Sequence, residues 1–448
     1  MMRSTADHLL RTYLTLMVVS TAASSMIWGI NTLFLLDAGL SVGQAFAANA
    51  FFTLGQVLFE VPTGVVADTV GRRASYLLGT ATLVGSTLLY LLLWQVKAGF
   101  APWAVASALL GLGFTFFSGA TEAWLVDGLA ASGYQGSLES AFAKGQVASG
   151  IAMVGGTIAG GVLAQSTNLG TPYLVRAVLL VLTFVVAWRA MHDVGFAPKP
   201  RVSVTAEMRD ILRSSLDHGL RNPPVRWLML AGPFTAGVSV YGFYAAQPYL
   251  LQLYGHTGSY AVAGVSASIV AVAQILGGTS AGLVSRAFRA RTSVLLLTVI
   301  VTAVVLVLIG LVASFWLALA LLAIWATMFA AAMPVRQAFL NSLIPSAQRA
   351  TVLSSDNLFA SAGGVVIQPA LGRAADASSY GQAYVISAGL QLLAVPFLLL
   401  ARRDSSAADR GPANDNRSAN DNRSANDSGS VGDGELDDDG VALVEGLG

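Results

Sequence analysis

Mainly apolar stretches of about twenty residues recur along this chain from near residue 12 to near residue 401. A helix needs that length to cross a bilayer core about 30 Å thick, and a backbone in lipid must satisfy its own hydrogen bonds. The chain is therefore expected to be an all-α membrane protein. Twelve transmembrane helices can be counted. The first six run about 12–36, 43–69, 74–96, 102–128, 141–165 and 172–191. The second six run about 226–252, 260–285, 292–313, 315–340, 350–376 and 380–401. Composition agrees: 55% of residues are hydrophobic and only 11% charged, against roughly 25% charged in a soluble domain. The first segment lacks a small-residue cleavage site and eleven more follow, so it reads as an anchor.

Arginine and lysine fix the expected orientation. Arg3, Arg11, Arg72, Arg73, Lys144, the 189–226 segment, Arg286, Arg289, Arg291, Arg336, Arg349, Arg402 and Arg403 fall on one side. The other side has Lys97, with Arg176 and Arg373 near helix ends. Both termini are expected on the basic, cytoplasmic side, as an even helix count also requires.

Residues 192–225 form the one long polar connection and divide the chain. Within it, Met208, Ile211, Leu212 and Leu216 share one face of an expected helix from Thr205 to Leu220, an amphipathic segment at the cytoplasmic surface. Four regions follow: a first six-helix bundle over 1–191, the linker 192–225, a second bundle over 226–403, and a tail over 404–448. The tail repeats Ala-Asn-Asp-Asn-Arg-Ser, followed by the acidic run Asp437-Asp438-Asp439, a composition expected to be disordered.

The turn after the second segment reads Gly64-Val-Val-Ala-Asp68-Thr-Val-Gly71-Arg72-Arg73. Gly-x-x-x-Asp-x-x-Gly-Arg-Arg between two hydrophobic helices resembles the loop between helices 2 and 3 of the major facilitator superfamily of secondary transporters. The resemblance implies two pseudo-symmetric six-helix bundles, alternating access, and a latch that engages neighbouring helices through Asp68, Arg72 and Arg73. A partly desolvated charge pair at the membrane edge contributes about 1–3 kcal/mol, enough to bias a two-state equilibrium without freezing it. The arginines could instead serve topology alone, which would leave Asp68 and the glycines unexplained. Displaced by 218 positions, Gly64 maps onto Gly282, Asp68 onto Arg286, Gly71 onto Arg289 and Arg73 onto Arg291, as a diverged duplication would give.

Glu60-Val-Pro-Thr-Gly64, with Ser118-Gly-Ala-Thr-Glu122-Ala-Trp-Leu-Val-Asp127, resembles a bacterial branch of drug and small-molecule exporters. It implies a multi-pass protein of the bacterial inner membrane. Asp127, at the cytoplasmic boundary, is placed to join the latch by pairing with Arg72 or Arg73. Glu122 lies about 7 Å deeper and Glu60 about 12 Å inside Asp68 at helical rise. An ionisable group in a membrane helix is costly, and burial favours its neutral form, as a proton carrier requires. Glu122 also shares a helical face with Thr115 and Ser118. The alternative for both glutamates is a structural pair near the helix end. Asp37 reads as an interfacial residue.

Helices 1, 4, 7 and 10 line the cavity in the superfamily. The candidates here are Trp28 and Asn31, Ser118, Tyr241, Tyr244 and Gln247, and Met333, Arg336 and Gln337. Aromatic faces with a few amides suit an amphipathic ligand, although Trp and Tyr also pack helices. A fixed anionic group on the ligand would need a buried cation, and Arg336 or Arg176 could supply it. Gly156-Thr-Ile-Ala-Gly160-Gly161 resembles an exporter motif with Thr157 in place of proline, and small residues also serve helix packing. The arginine motif of drug/proton antiporters is absent from helix 4.

No nucleotide-binding or hydrolase motif is present, and the basic residues sit at membrane edges, against nucleic-acid binding. The chain has no cysteine, and its four histidines are scattered, so neither metal nor cofactor is expected. The expectation is a monomeric transporter, not an enzyme, that exports a small amphipathic compound against proton entry by antiport. Its rivals are a proton-coupled nutrient symporter and a non-transporting membrane sensor or scaffold.

Overall fold

Gly-mediated helix contacts repeat in the two halves of this chain, and they set its architecture. The computed structural model describes residues 2–117, 119–198, 209, 213, 219–288, 290–345 and 349–405. In the first half the helices are α1 (Met2–Ser25), α2 (Asn31–Asp37), α3 (Val42–Thr69), α4 (Arg72–Gln95), α5 (Phe100–Thr115), α6 (Ala120–Ala131), α7 (Leu138–Ser166) and α8 (Thr171–Ala190). In the second they are α9 (Pro223–Tyr254), α10 (Tyr260–Ala287), α11 (Arg291–Leu311), α12 (Phe315–Leu343), α13 (Arg349–Ala377), α14 (Tyr380–Leu392) and α15 (Ala394–Asp404). The pairs α1/α2, α5/α6 and α14/α15 are each one interrupted pass, so the helices make twelve passes in two six-pass bundles.

Helix association in lipid depends on close packing, which small residues permit. In the first bundle a Cβ on Gly55 would overlap the Ala108 carbonyl, and one on Gly160 the Met26 carbonyl. These glycines seat α3 on α5 and α7 on the end of α1. In the second bundle, Gly277 meets the Thr327 carbonyl and Gly363 the Pro233 carbonyl, seating α10 on α12 and α13 on α9. The same two helix pairs are locked in each half, which is the pseudo-symmetry the displaced motif suggested. Gly160→Val should lower the unfolding temperature in detergent by several degrees, because overpacking against backbone costs about 1–3 kcal/mol. Gly155→Val should leave it unchanged, since no atom lies within 4 Å of a Cβ there.

The bundles meet along α3 against α13 and α7 against α10. Among the described residues, ten helical stretches are long and apolar enough to cross a membrane by themselves. The broken first pass and α13 are not among them. In α13 the reason is composition: it carries Arg349, Asp356, Arg373 and Asp376.

Several boundaries differ from expectation. Helix α1 begins at Met2, and the first pass breaks over residues 26–30. The fourth pass breaks after Thr115 and restarts at Ala120, with Gly119 left-handed at φ 68°. The second bundle begins at Pro223, because proline lacks an N–H and has a fixed φ, both of which suit the first turn of a helix. The amphipathic helix expected over 205–220 lies mostly outside the described residues, as does the tail beyond 405.

Candidate functional site

The break in the first pass frees backbone groups that lipid could not satisfy. Gln247 on α9 reaches across and satisfies both sides of it. Its Oε1 accepts from the Thr32 N–H at 2.9 Å, and its Nε2 donates to the Trp28 carbonyl at 2.6 Å. Thr32 adds a bond from its hydroxyl to the Tyr244 carbonyl at 3.0 Å. Trp28 and Asn31, both expected to face the cavity, are therefore not on one continuous helical face. Trp28 faces the space between the bundles, whereas Asn31 is buried between Asn49 and Tyr173, at 3.0 Å from each.

That space is a cavity of about 600 Å³ walled by both bundles. Trp28, Phe52, Phe114, Phe243, Tyr244, Trp325 and Phe329 give it an aromatic lining, and Gln56, Gln274 and Asn357 supply amides. No charged side chain lines it among the described residues. Of the candidates read from sequence, Trp28 and Tyr244 line this cavity and six others do not. Tyr241 is fully buried and packs on Phe46 and Tyr384, because α9 turns that face into the helix core. Gln247 is spent on the helix break, and Asn31 on the first bundle. Met333 and Arg336 line a separate pocket of about 50 Å³ inside the second bundle, and Gln337 is exposed. Ser118 lies outside the described residues.

One end of the cavity is closed by contacts that cross the bundles. Asp376, at the end of α13, accepts from the N–H groups of Val42 and Gly43 at 2.8 and 2.7 Å and from the Ser41 hydroxyl at 2.9 Å. These are free donors at the N-terminus of α3, where the helix dipole favours an anion. Ser41 supplies the remaining cap through Gln44. On the same side, Gly161 approaches Gly264 and Gly372 approaches Gly43. Sequence reading passed over Asp376. Its signal is a single acid at a helix end, which composition alone cannot tell from an ordinary interfacial residue such as Asp37.

The opposite end carries the Gly64–Arg73 turn and is looser. A Cβ on Gly64, Gly278 or Gly282 would meet nothing within 4 Å, and one on Gly150 only the tip of Ile275 at 3.7 Å. Arg72 bonds Asp68 at 2.5 Å, and its Nε stands 3.9 Å from Asp127. The Arg73 N–H donates to Asp193 at 2.9 Å and its guanidinium to the Trp188 carbonyl at 2.5 Å. Gly71 has φ 136° and a Cβ there would strike the Asp193 carboxylate, so this position requires glycine on both counts. Asp193 is a member of the cluster that the sequence reading missed. These contacts tie α3, α4, α6 and the segment after α8 together within the first bundle.

Glu60 and Glu122 are both exposed in this state rather than buried as expected. Glu60 follows Gln56 by one turn on the cavity-lining face of α3, about 6 Å nearer the open end. Glu122 sits in the first turn of α6, where a negative charge complements the helix dipole, and it lies near enough to Tyr13 to interact electrostatically. The break before Gly119 separates it from Thr115, so the expected polar stripe is interrupted. All three glycines of the Gly156–Gly161 segment are used in packing, against Ser25, Met26 and Gly264.

In the second bundle, Arg336 forms a two-pronged ion pair with Asp356, at 2.5 and 2.7 Å, and donates to the Leu228 carbonyl at 3.1 Å. Asp356 is 3% exposed and was also missed from sequence. The rule that flagged Glu122, an ionisable group inside a membrane span, applies equally to Asp356.

Two six-pass helical bundles around a central cavity, closed at one end and loose at the other, define the fold of a secondary transporter. The chain belongs to the Major Facilitator Superfamily, whose family model matches residues 13–279 and 234–425. It is a multi-pass membrane transporter and not an enzyme. Among solved structures it is similar to a bacterial homologue of the human lysosomal transporter Spinster in an inward-facing, unoccupied conformation, with 15% identity and a TM-score of 0.69 over 91% of this chain and 99% of that one. It is also similar to the nucleoside transporter NupG, with 11% identity and a TM-score of 0.70 over 88% and 98%. A third likeness is to the POT family transporter PepTSo, with 12% identity and a TM-score of 0.67 over 89% and 98%. No curated protein sequence matches this chain. At these identities the solved structures support the fold alone.

Proposed function

We propose that the chain exports a small amphipathic compound, drug-like or metabolite, in exchange for protons by alternating access, as a monomer in the bacterial inner membrane. The observation that carries this reading is the 600 Å³ aromatic cavity between the bundles, with Asp376 at its closed end and the Asp68–Arg72–Asp127 cluster at its loose end. Arg72, Arg73, Lys144, Arg286, Arg291, Arg402 and Arg403 all lie toward the loose end, which the positive-inside rule assigns to the cytoplasm together with both termini. The state described is then inward-open, with 192–225 as a cytoplasmic linker between bundles spanning 1–191 and 226–403. The Spinster homologue of similar fold is itself an inward-facing form.

The two interface helices carry acids in opposed positions. Asp68 lies at the end of α3 and Asp376 near the end of α13, each on the bundle opposite the start of the other helix. Asp376 holds the start of α3 when the outer side is shut. Asp68 is set to hold the start of α13 when the inner side is shut, with Gly64, Gly71, Arg72, Arg73 and Asp127 shaping that latch. Glu122 and Glu60, both at the open mouth, are the proton-coupling groups.

Proteoliposomes loaded with a pH-sensitive dye test the coupling. Adding compounds from an amphipathic panel to the parent protein should drive proton flux, and Glu122→Gln should abolish it. Unchanged flux in Glu122→Gln would remove Glu122 from the coupling path. A parent protein that moves neither compound nor proton would favour the sensor reading, and proton flux in the same direction as the compound would favour symport.

A further inference from the structure

Arg176 on α8 is 1% exposed, and no carboxylate among the described residues lies within 4 Å of it. Its Nε donates to the Thr87 hydroxyl at 3.1 Å and its Nη1 reaches the Ser24 carbonyl at 3.5 Å. Nη2 is buried with no hydrogen-bond partner among the described residues. A guanidinium placed this deep without an anion is costly, since buried charges are ordinarily paired. Arg336, the other deep cation, has its anion in Asp356.

The position of Arg176 suggests where the missing charge comes from. The Phe114 ring that lines the central cavity sits over the guanidinium, 5.9 Å from ring centre to Cζ. Tyr244, also on the cavity wall, lies close to it, as do Tyr90 and Tyr173. Arg176 thus stands one side-chain layer behind a cavity wall that holds no charge of its own. A positive potential focused through a low-dielectric wall attracts an anion and repels a cation.

We infer that the cavity takes an amphipathic organic carboxylate, with Arg176 as its counter-charge behind Phe114 and Tyr244. The aromatic walls take the apolar body of the ligand. The carboxylate lies against the Phe114–Tyr244 face, and a rotation of the Phe114 ring brings the unpartnered Nη2 within reach of it. Two acceptor oxygens in a plane match the guanidinium fork. This inference rests on the reading of the cavity as the transport site.

The test uses the full chain in nanodiscs and two probes of equal size, 2-naphthoate and the neutral 2-naphthalenemethanol. Trp28 and Trp325 line the cavity and report binding by fluorescence. The parent should bind the carboxylate at least about tenfold more tightly than the alcohol. Arg176→Gln should remove that preference while keeping affinity for the alcohol, and Arg176→Lys should retain most of it. Equal binding of the two probes by the parent, or a preference that survives in Arg176→Gln, would overturn the inference. If Arg176→Gln does not fold, Arg176→Met takes its place: a preference lost there supports the inference, and one that survives there, or a tighter alcohol than carboxylate in the parent, overturns it. Binding of neither probe, with no change in tryptophan emission, would instead overturn the transport-site reading itself.

Discussion

Asp356→Ala should destabilise the second bundle by about 3–5 kcal/mol, the usual consequence of stranding one member of a buried ion pair. The pair joins three helices. Arg336 comes from α12, Asp356 from α13, and the Leu228 carbonyl from α9, with bonds of 2.5, 2.7 and 3.1 Å. Arg336 is 16% exposed at its side chain and Asp356 5%, so little solvent is available to either when the other is removed. Thermal unfolding in detergent measures the effect, and a fall of about ten degrees or more, or loss of the folded protein, is expected. The double variant Arg336→Met/Asp356→Leu should recover most of the loss, because an apolar pair of similar volume leaves no buried charge. An Asp356→Ala variant as stable as the parent would mean that the pair is solvated and structurally idle.

Asp376→Asn should weaken closure of the end that Asp376 now seals. The carboxylate accepts three hydrogen bonds from residues 41–43, two of them from the first N–H groups of α3. An amide keeps one acceptor and loses the charge that the helix N-terminus favours. Asp376 is exposed, so the charge is screened and the expected loss is about 1–2 kcal/mol, a shift of roughly five- to thirtyfold between the two states. A cysteine placed at Thr32 reads this out, since the chain has no other. Its labelling by a membrane-impermeant thiol reagent from the Asp376 side should rise several-fold in Asp376→Asn. Unchanged labelling would show that Asp376 caps α3 without gating.

The twelve passes and the bundle halves were legible because apolar segments of fixed length admit few other structures in lipid. Trp28 and Tyr244 were legible from the helices that line the cavity in the superfamily, Asp68–Arg72 from its spacing of four, and Asp127 from its expected place at the cytoplasmic boundary. What was not legible depends on distance along the chain. Nothing within residues 26–30 announces a break that is made tolerable by Gln247, more than 200 positions away. Once that break turns the helix, Asn31 leaves the cavity face and joins Tyr173 and Asn49. Gln247 was read as a cavity residue for its polarity, but its two amide atoms serve backbone and not ligand. Asp376 and Asp193 were passed over because each acts on the N-terminus of a helix from elsewhere in the chain, a contact that spacing cannot reveal. Asp356 could have been found, since it is an acid inside one of the twelve expected membrane passes.

Alternating access is tested most directly by measuring distances at both ends of one molecule. Spin labels at Ala101 and Ser378 report the Asp376 end, and labels at Val70 and Ser285 report the other, all four being exposed positions. Asp376→Asn should lengthen the first distance and shorten the second, in the same fraction of molecules. A change at one end without the reciprocal change at the other would contradict the account.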